Sequence, residues 1–553
     1  MATKEQRGRV VVHLALSLFA ATAFIAAFGV ARADAVGATV TVTNCNDTGT
    51  GSLRQAITAA ASGTTVTFAL APACPTITLQ STLDIATNLI IDGPGSATLA
   101  LDELPYTTVF DVAADVKATI SGLTIDNGSV GIDNDGNLTV SDDTLSGAGS
   151  SAGGGILNQG TLTVTGSTVS NNGVTAGAGA GGGGIENEHG TVTVSSSTFA
   201  DNTASAGAEG GGIDNDGGSV TISGSALNGN NTGQGSGGGI VNRDDGTLVV
   251  TTSTLADNSA VDGTGGGIEN EGGTVTVSDS TLSHNTAFYG SGGGGIFNAT
   301  AASVSIADST LIGNGATYGG DGGAVFNLGS LSITGSTLDR NTSTDDGGGL
   351  FSAGGSLTVT ATIIASSKRG DCFGPVTDGG YNLVDDTTCN LSAGTDKIGT
   401  PAGLDPTGLA DNGGPTRTIG LESTSPAVGA VGSATVCSTP DQRGVTRPTP
   451  CDTGAVQFVL PPQTFTSADT TSVAAGSPLS FTVTTSGTPV PTIKRRGRLP
   501  RHVRLVDNGN GTATLSGTPD RTGTFHLTLR ALYGTGAHRP VVTQGFTLVV
   551  TAP

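Results

Sequence analysis

The sequence predicts an all-β protein, a long parallel β-helix solenoid followed by a small β-sandwich. Three observations carry this expectation. A period near 28 residues runs through the middle of the chain, and each period holds three short strand signals. The composition is 90 glycines and no tryptophan at a mean hydropathy of +0.07, with Val, Ile and Leu at regular spacing. At 553 residues the chain is too long for one compact core. The ordered apolar spacing also argues against a disordered Gly/Ser polymer.

Residues 1–35 read as a signal peptide. Lys4, Arg7 and Arg9 precede an apolar run from Val10 to Val30, and Ala31, Ala33 and Ala35 supply small residues for cleavage. An uncleaved anchor is the alternative for that run. No later segment is apolar for long enough to cross a bilayer, so the membrane is expected to enter only through the signal peptide. A secreted, extracellular or cell-surface monomer is the expected product. The six cysteines fall as local couples, Cys45–Cys74, Cys372–Cys389 and Cys437–Cys451, one of the 15 pairings that six allow. No C-x-x-C or Cys/His cluster favours a metal instead, and oxidised staples suit export.

Residues 36–125 supply a cap and the first coils. GSLRQAI at 51–57, apolar at Leu53, Ala56 and Ile57, predicts a short helix covering the open end of the stack. TVTFAL at 65–70, TITLQ at 76–80, LII at 89–91, ATLAL at 97–101 and ATISGLTIDN at 118–127 read as early strands. Residues 126–367 hold the regular repeats. The phrase Gly-Gly-Gly-Ile-x-Asn or a close variant ends at Asn158, Asn187, Asn215, Asn242, Asn270, Asn298 and Asn327. A second phrase, Ser-Thr-Leu-x-x-Asn or near it, ends at Asn172, Asn202, Asn230, Asn258, Asn285, Asn314 and Asn341.

Between these phrases lies an alternating strand. In TVTV at 191–194, Val192 and Val194 face one way and Thr191 and Thr193 the other. One repeat cannot bury its apolar side, so repeats must stack at about 4.8 Å into a continuous core. The first asparagine set is expected to form a ladder of amides along the axis, at bends of left-handed backbone. The variable turns at 173–180, 203–209 and 286–291 are candidate contact loops.

These phrases resemble the repeats of polymorphic outer-membrane-protein and pectate-lyase-like proteins, which implies a right-handed parallel β-helix. VTNCNDTGTGSLRQAI at 42–57 is similar to the CSLREAI segment that opens many such bacterial proteins. GGYNLVDDTTC at 379–389, DNGGPT at 411–416, SPAVG at 425–429, DQRGVTRP at 441–448 and CDTGAVQ at 451–457 resemble the choice-of-anchor Q domain, which assigns 368–460 to the end of the β-helix. Residues 463–553 resemble a bacterial cell-surface Ig-type module. Their strands are separated by Asn-Gly and Gly-Thr-Pro turns over the length of an Ig-like β-sandwich, and the charged KRRGR at 494–498 departs from the pattern.

Charge is divided. Residues 463–553 hold nine Lys+Arg against three Asp+Glu and stand at +6, which leaves −28 for the rest of a chain whose total is −22. An acidic solenoid argues against nucleic acid as a partner. The basic module, through Lys494, Arg495, Arg496, Arg498, Arg501 and Arg504, could touch anionic wall polymers, or these residues are a solvated cluster.

Carboxylates flank the first asparagine set: Glu186 and Glu188, Asp214 and Asp216, Glu269 and Glu271, with Asp133 and Asp135 earlier. Their stacking suggests calcium as the one cofactor to test, in segments because Arg243 interrupts the column; solvated turn carboxylates are the alternative. Cell-surface glycans or proteins are the expected partners, bound without catalysis. The alternative is a polysaccharide lyase or glycoside hydrolase on an acidic polysaccharide, but no catalytic motif of the kind is found, and His189 and His284 stand alone. A minor alternative is ice binding through stacked rows such as Thr161/Thr163, Thr191/Thr193, Ser219/Thr221 and Thr274/Thr276.

Overall fold

Period-two alternation repeated every coil produces stacked parallel sheets. In the computed structural model, the described residues are 37–553 apart from 72–73, 104–106, 151–152, 176–180, 206, 460–462, 488 and 534–540. The expected signal peptide at 1–35 lies outside them. The T-x-T phrase builds a 14-stranded sheet running from Thr39–Val42 to Thr377–Asp378. The GGGI phrase builds a 12-stranded sheet from Leu83–Ile85 to Cys372–Phe373, and the STL phrase a 14-stranded one from Thr76–Leu79 to Lys397–Ile398. Strands pair in parallel with their equivalents one coil away, as Val192↔Val220 and Val194↔Ile222 do. The result is a β-solenoid of about 12 parallel turns, with about 2% of the chain in helix. Val192, Val194, Ile185 and Phe199 are buried inside, while Thr191 and Thr193 face out.

A fourth sheet was not foreseen. Eight short strands, from Gly149–Ser150 to Thr342–Ser343, pair where the sequence suggested variable turns. Gly173–Val174, Thr203–Ala204 and Thr286–Phe288 open the three candidate loops as strands of this sheet. Two- and three-residue strands are too short to show alternation, so only register with their neighbours defines them.

Three ladders run along the axis inside the bends. Nδ2 of Asn158 donates to Oδ1 of Asn187 at 2.7 Å, Asn187 to Asn215 at 2.7 Å, Asn215 to Asn242 at 2.7 Å and Asn242 to Asn270 at 2.9 Å. Asn270, Asn298 and Asn327 continue the row, which Asn134 begins and Ser352 ends. The Asn172-to-Asn341 set forms a second ladder, in which backbone N and Nδ2 of each residue donate to the next Oδ1. Serines 167, 197, 225, 253, 280, 309 and 336 form a third, their amides donating to the next hydroxyl. The expectation of left-handed backbone at the first asparagine set is corrected. Positive φ falls instead two residues after the first set, at His189, Gly217 and Asp244, and just before the second, at Asn171, Asp201, Asp257 and His284. A side chain already committed to an axial ladder stays in extended geometry, and the bend moves to its neighbour.

The capping helix is Leu53–Thr58, with Leu53, Ala56 and Ile57 buried. Ser52 accepts from the Gln55 amide, and Gln55 Oε1 accepts in return from Gly51 N, a reciprocal cap. The disulfides are Cys45–Cys74, Cys372–Cys389 and Cys437–Cys451, a set that suits an oxidising environment. No helix among the described residues is long and apolar enough to cross a membrane.

After its last coil the chain turns back, and residues 411–458 run as a strap over the outer face of the STL sheet. Gln442 Nε2 donates to Ser280 O and Thr281 Oγ1, and Oε1 accepts from Thr310. Arg447 pairs with Asp308, the Ala455 amide donates to Thr337 Oγ1, and Thr453 reaches Tyr381 O. Under the strap Thr281–Ser283 is wholly buried; in Thr254–Ala256, one coil earlier, only Leu255 is.

The C-terminal region is β of a different kind. Two four-stranded sheets, mainly antiparallel, enclose a core of Leu479, Val483, Ile493, Leu515, Leu529, Phe546 and Leu548.

Candidate functional site

The outward position of the GGGI strands forms one continuous row. Register places Glu186 beside Asp214, then Val241, then Glu269. The row continues through Phe297, Phe326, Phe351 and Phe373. One solenoid face thus changes from acidic to aromatic along its length. The phenyl rings stack at 4.9, 4.8 and 4.9 Å between centroids.

Glycine runs cover much of this row. At Gly237, φ is +64° and an added Cβ would lie 2.3 Å from Val241 Cγ2. At Gly181 an added Cβ would overlap the Glu186 carboxylate. The runs therefore let the backbone cross over its own outward side chain, a role that sequence alone presents only as a crowded corner. Asp214 and Glu269 are buried with Glu186, whose Oε2 accepts from the Gly182 amide at 2.7 Å.

Arg243 is the organising charge. Its Nη2 lies 2.9 Å from Asp214 Oδ2, 3.5 Å from Asp216 Oδ2 and 3.9 Å from Glu186 Oε1, and its Nη1 3.4 Å from Glu209 Oε2. The column interruption noted in the sequence is thus its counterion, and Glu209, on a variable turn, joins a cluster it was not assigned to. Burial pushes Glu186 up to about 7 against the pull of the Gly182 amide and Arg243. Burial, then Glu186, raises Asp214 well above the carboxylate range. Glu188 accepts instead from Gln159 at 2.6 Å, and Glu269 from Thr264 at 2.6 Å. Burial raises Glu269 as well. Among the described residues no group of three or more His, Cys, Asp or Glu side chains is arranged to hold a metal ion. Asp214 and Glu186, at 0% and 3% exposure, are closed to a polymer that would need them as acid and base.

Two solvent-open features among the described residues bear on binding. The first is a pair of tyrosines at the edge of the fourth sheet. Tyr289 and Tyr318 stack at 4.4 Å with 19° between planes, and are 59% and 65% exposed. Both have left-handed backbone, φ 56° and 59°, a conformation that costs a bulky residue about 1–2 kcal/mol. Tyr289 falls within the candidate loop at 286–291; Tyr318 occupies the equivalent turn one coil later, which is not among the three candidate loops. The second is a cleft of about 760 Å³ where the strap leaves the STL sheet. It is lined by Asn228, Thr254, Asp257, Ser283, His284 and Arg417 with apolar flanks. His284, isolated in sequence, here shares a wall with Asp257, its equivalent one coil earlier. His189 remains exposed, its ring against Gly217.

No family model matches the chain, and no curated protein matches it. Among solved structures it is similar to a chimeric titin Z1Z2 functionalized with a KLER exogenous peptide from decorin. That similarity has 26% identity over 17% of this chain and all of the other, with a TM-score of 0.15.

Proposed function

We propose that this chain is an exported, non-catalytic β-helix protein that binds surface glycans. The reading rests on the Tyr289–Tyr318 stack. Exposed aromatic surface held in an unfavourable backbone on adjacent coils serves no packing need, and a flat apolar face with phenol hydroxyls at its rim suits the apolar face of a sugar ring. The burial of Glu186 and Asp214 supports binding over turnover. The repeat phrases and closing blocks support a right-handed pectate-lyase-like solenoid with a choice-of-anchor Q end, and the terminal two-sheet region suits an Ig-type spacer.

Retention on immobilised neutral polysaccharides tests this. Tyr289→Ser with Tyr318→Ser is expected to weaken retention at least tenfold at unchanged melting temperature. Undiminished retention by the double variant contradicts the assignment.

A polysaccharide lyase or hydrolase is the second reading. The cleft favours it, because His284, Asp257 and Arg417 line an open groove.

A further inference from the structure

The sheet of the C-terminal region that contains Thr492–Arg496 and Gly523–Leu532 has one face in the core and one in solvent. Alternation sends Leu527, Leu529 and Ala531 inward and His526, Thr528 and Arg530 outward. On the neighbouring strand Lys494 and Arg496 take the outward positions, and register sets Lys494 directly opposite Arg530 and Arg496 opposite Thr528. Two cations directly opposite on an antiparallel pair repel, and the arrangement is destabilising. No carboxylate among the described residues forms an ion pair with either cation. Among the described residues the one ion pair within 463–553 joins His502 to Asp520 at 3.9 Å. Asp507 Oδ2 accepts from the Ile493 amide, and Asp469 precedes the edge strand on the far side of the sheet. The rest of the outward face is mostly hydroxyl, with Thr543 opposite Arg530, Thr547 opposite His526, then Thr470 and Ser472, and with Val541 and Val549 at the two ends of the same strand.

We infer that this face is a dock for a carboxylated polysaccharide, independent of the tyrosine pair on the solenoid. Adjacent cations with no internal counterion call for closely spaced anionic groups. The surrounding threonines and serine offer donors and acceptors to sugar hydroxyls. A nucleic acid is disfavoured because the outward positions hold no Phe, Tyr or Trp to stack a base. An anionic membrane is disfavoured because the one large apolar side chain well exposed on this face, Val541, gives far less apolar area than an interfacial anchor needs.

Lys494→Glu converts the repulsive pair to an attractive one. In the full chain it is expected to raise the melting temperature of the C-terminal region by about 1–3 °C. It should also weaken binding to polygalacturonate at least tenfold, and parental binding should fall with salt. Loss of affinity at raised stability cannot be unfolding. With Tyr289→Ser and Tyr318→Ser as background, polygalacturonate binding at this face should persist, which separates the two sites. The inference is overturned if Lys494→Glu binds polygalacturonate like the parent. It is equally overturned if the parent prefers single-stranded DNA or phosphatidylglycerol vesicles, or if the face only joins copies of the chain, seen as salt-sensitive oligomers without polysaccharide binding.

Discussion

Arg447 Nη2 donates to Asp308 Oδ1 at 2.8 Å across 139 positions of sequence, with side chains only 3% and 10% exposed. The pair pins the strap to the solenoid, and Arg447 also donates to the Asp452 and Gly454 carbonyls. Removing one partner of a buried pair leaves the other desolvated without a counterion, at a cost of about 3 kcal/mol. Arg447→Ala is therefore expected to expose 411–458 to limited proteolysis while the solenoid keeps its circular dichroism. Unchanged protection would mean that Gln442 and its neighbours hold the strap without the pair.

Asn215 accepts from Asn187 and donates to Asn242 inside the first ladder. Asn215→Ala orphans a buried donor and a buried acceptor, and a loss of about 2–3 kcal/mol is expected in denaturant unfolding. Asn215→Asp keeps the acceptor but sets oxygen against Asn242 Oδ1, so its loss should be at least as large and should shrink in acid.

Asp143 stands where later coils place the ladder serine, and its own amide donates to Ser167 Oγ. Burial pushes it up to about 7 against the pull of the Leu123 and Ser141 amides. Its folded value thus exceeds the unfolded value of about 3.9. Its stabilising contribution is full below about pH 4 and is lost as pH rises through 7, a change on the order of 4 kcal/mol at most. Asp143→Ser should raise stability at pH 8 and flatten the decline between pH 4 and 7, measured by thermal melts across that range. A parent whose stability rises over that window would refute this.

Arg243 balances Asp214, Glu186, Asp216 and Glu209. Arg243→Gln is expected to cost about 2 kcal/mol at pH 7 and much less at pH 5, where the raised carboxyls take up protons. With a guanidinium as counterion, the parent Tm should not respond to calcium. A calcium-dependent rise that disappears in Glu186→Gln with Asp214→Asn would restore the metal reading of this column.

The solenoid was legible because burial follows alternation: Val192 and Val194 could face only one interior. The first ladder was legible from spacing alone. Its backbone geometry was not, because φ at Asn187 depends on which neighbour takes the bend. The acidic column was seen, but not its burial, which the glycine backbone of the preceding run creates. His284 and Arg417 are 133 positions apart and line one cleft only because the strap folds back, a juxtaposition that no local pattern encodes.

Chain length of the polysaccharide separates binding from catalysis most directly. The intact protein would be incubated with a panel of acidic and neutral polysaccharides, and polymer size and unsaturated ends followed over time. The account predicts retained polymer with no shortening and no unsaturation. Product formation that is lost on His284→Ala with Asp257→Asn would contradict it and place an enzyme in the cleft beneath the strap.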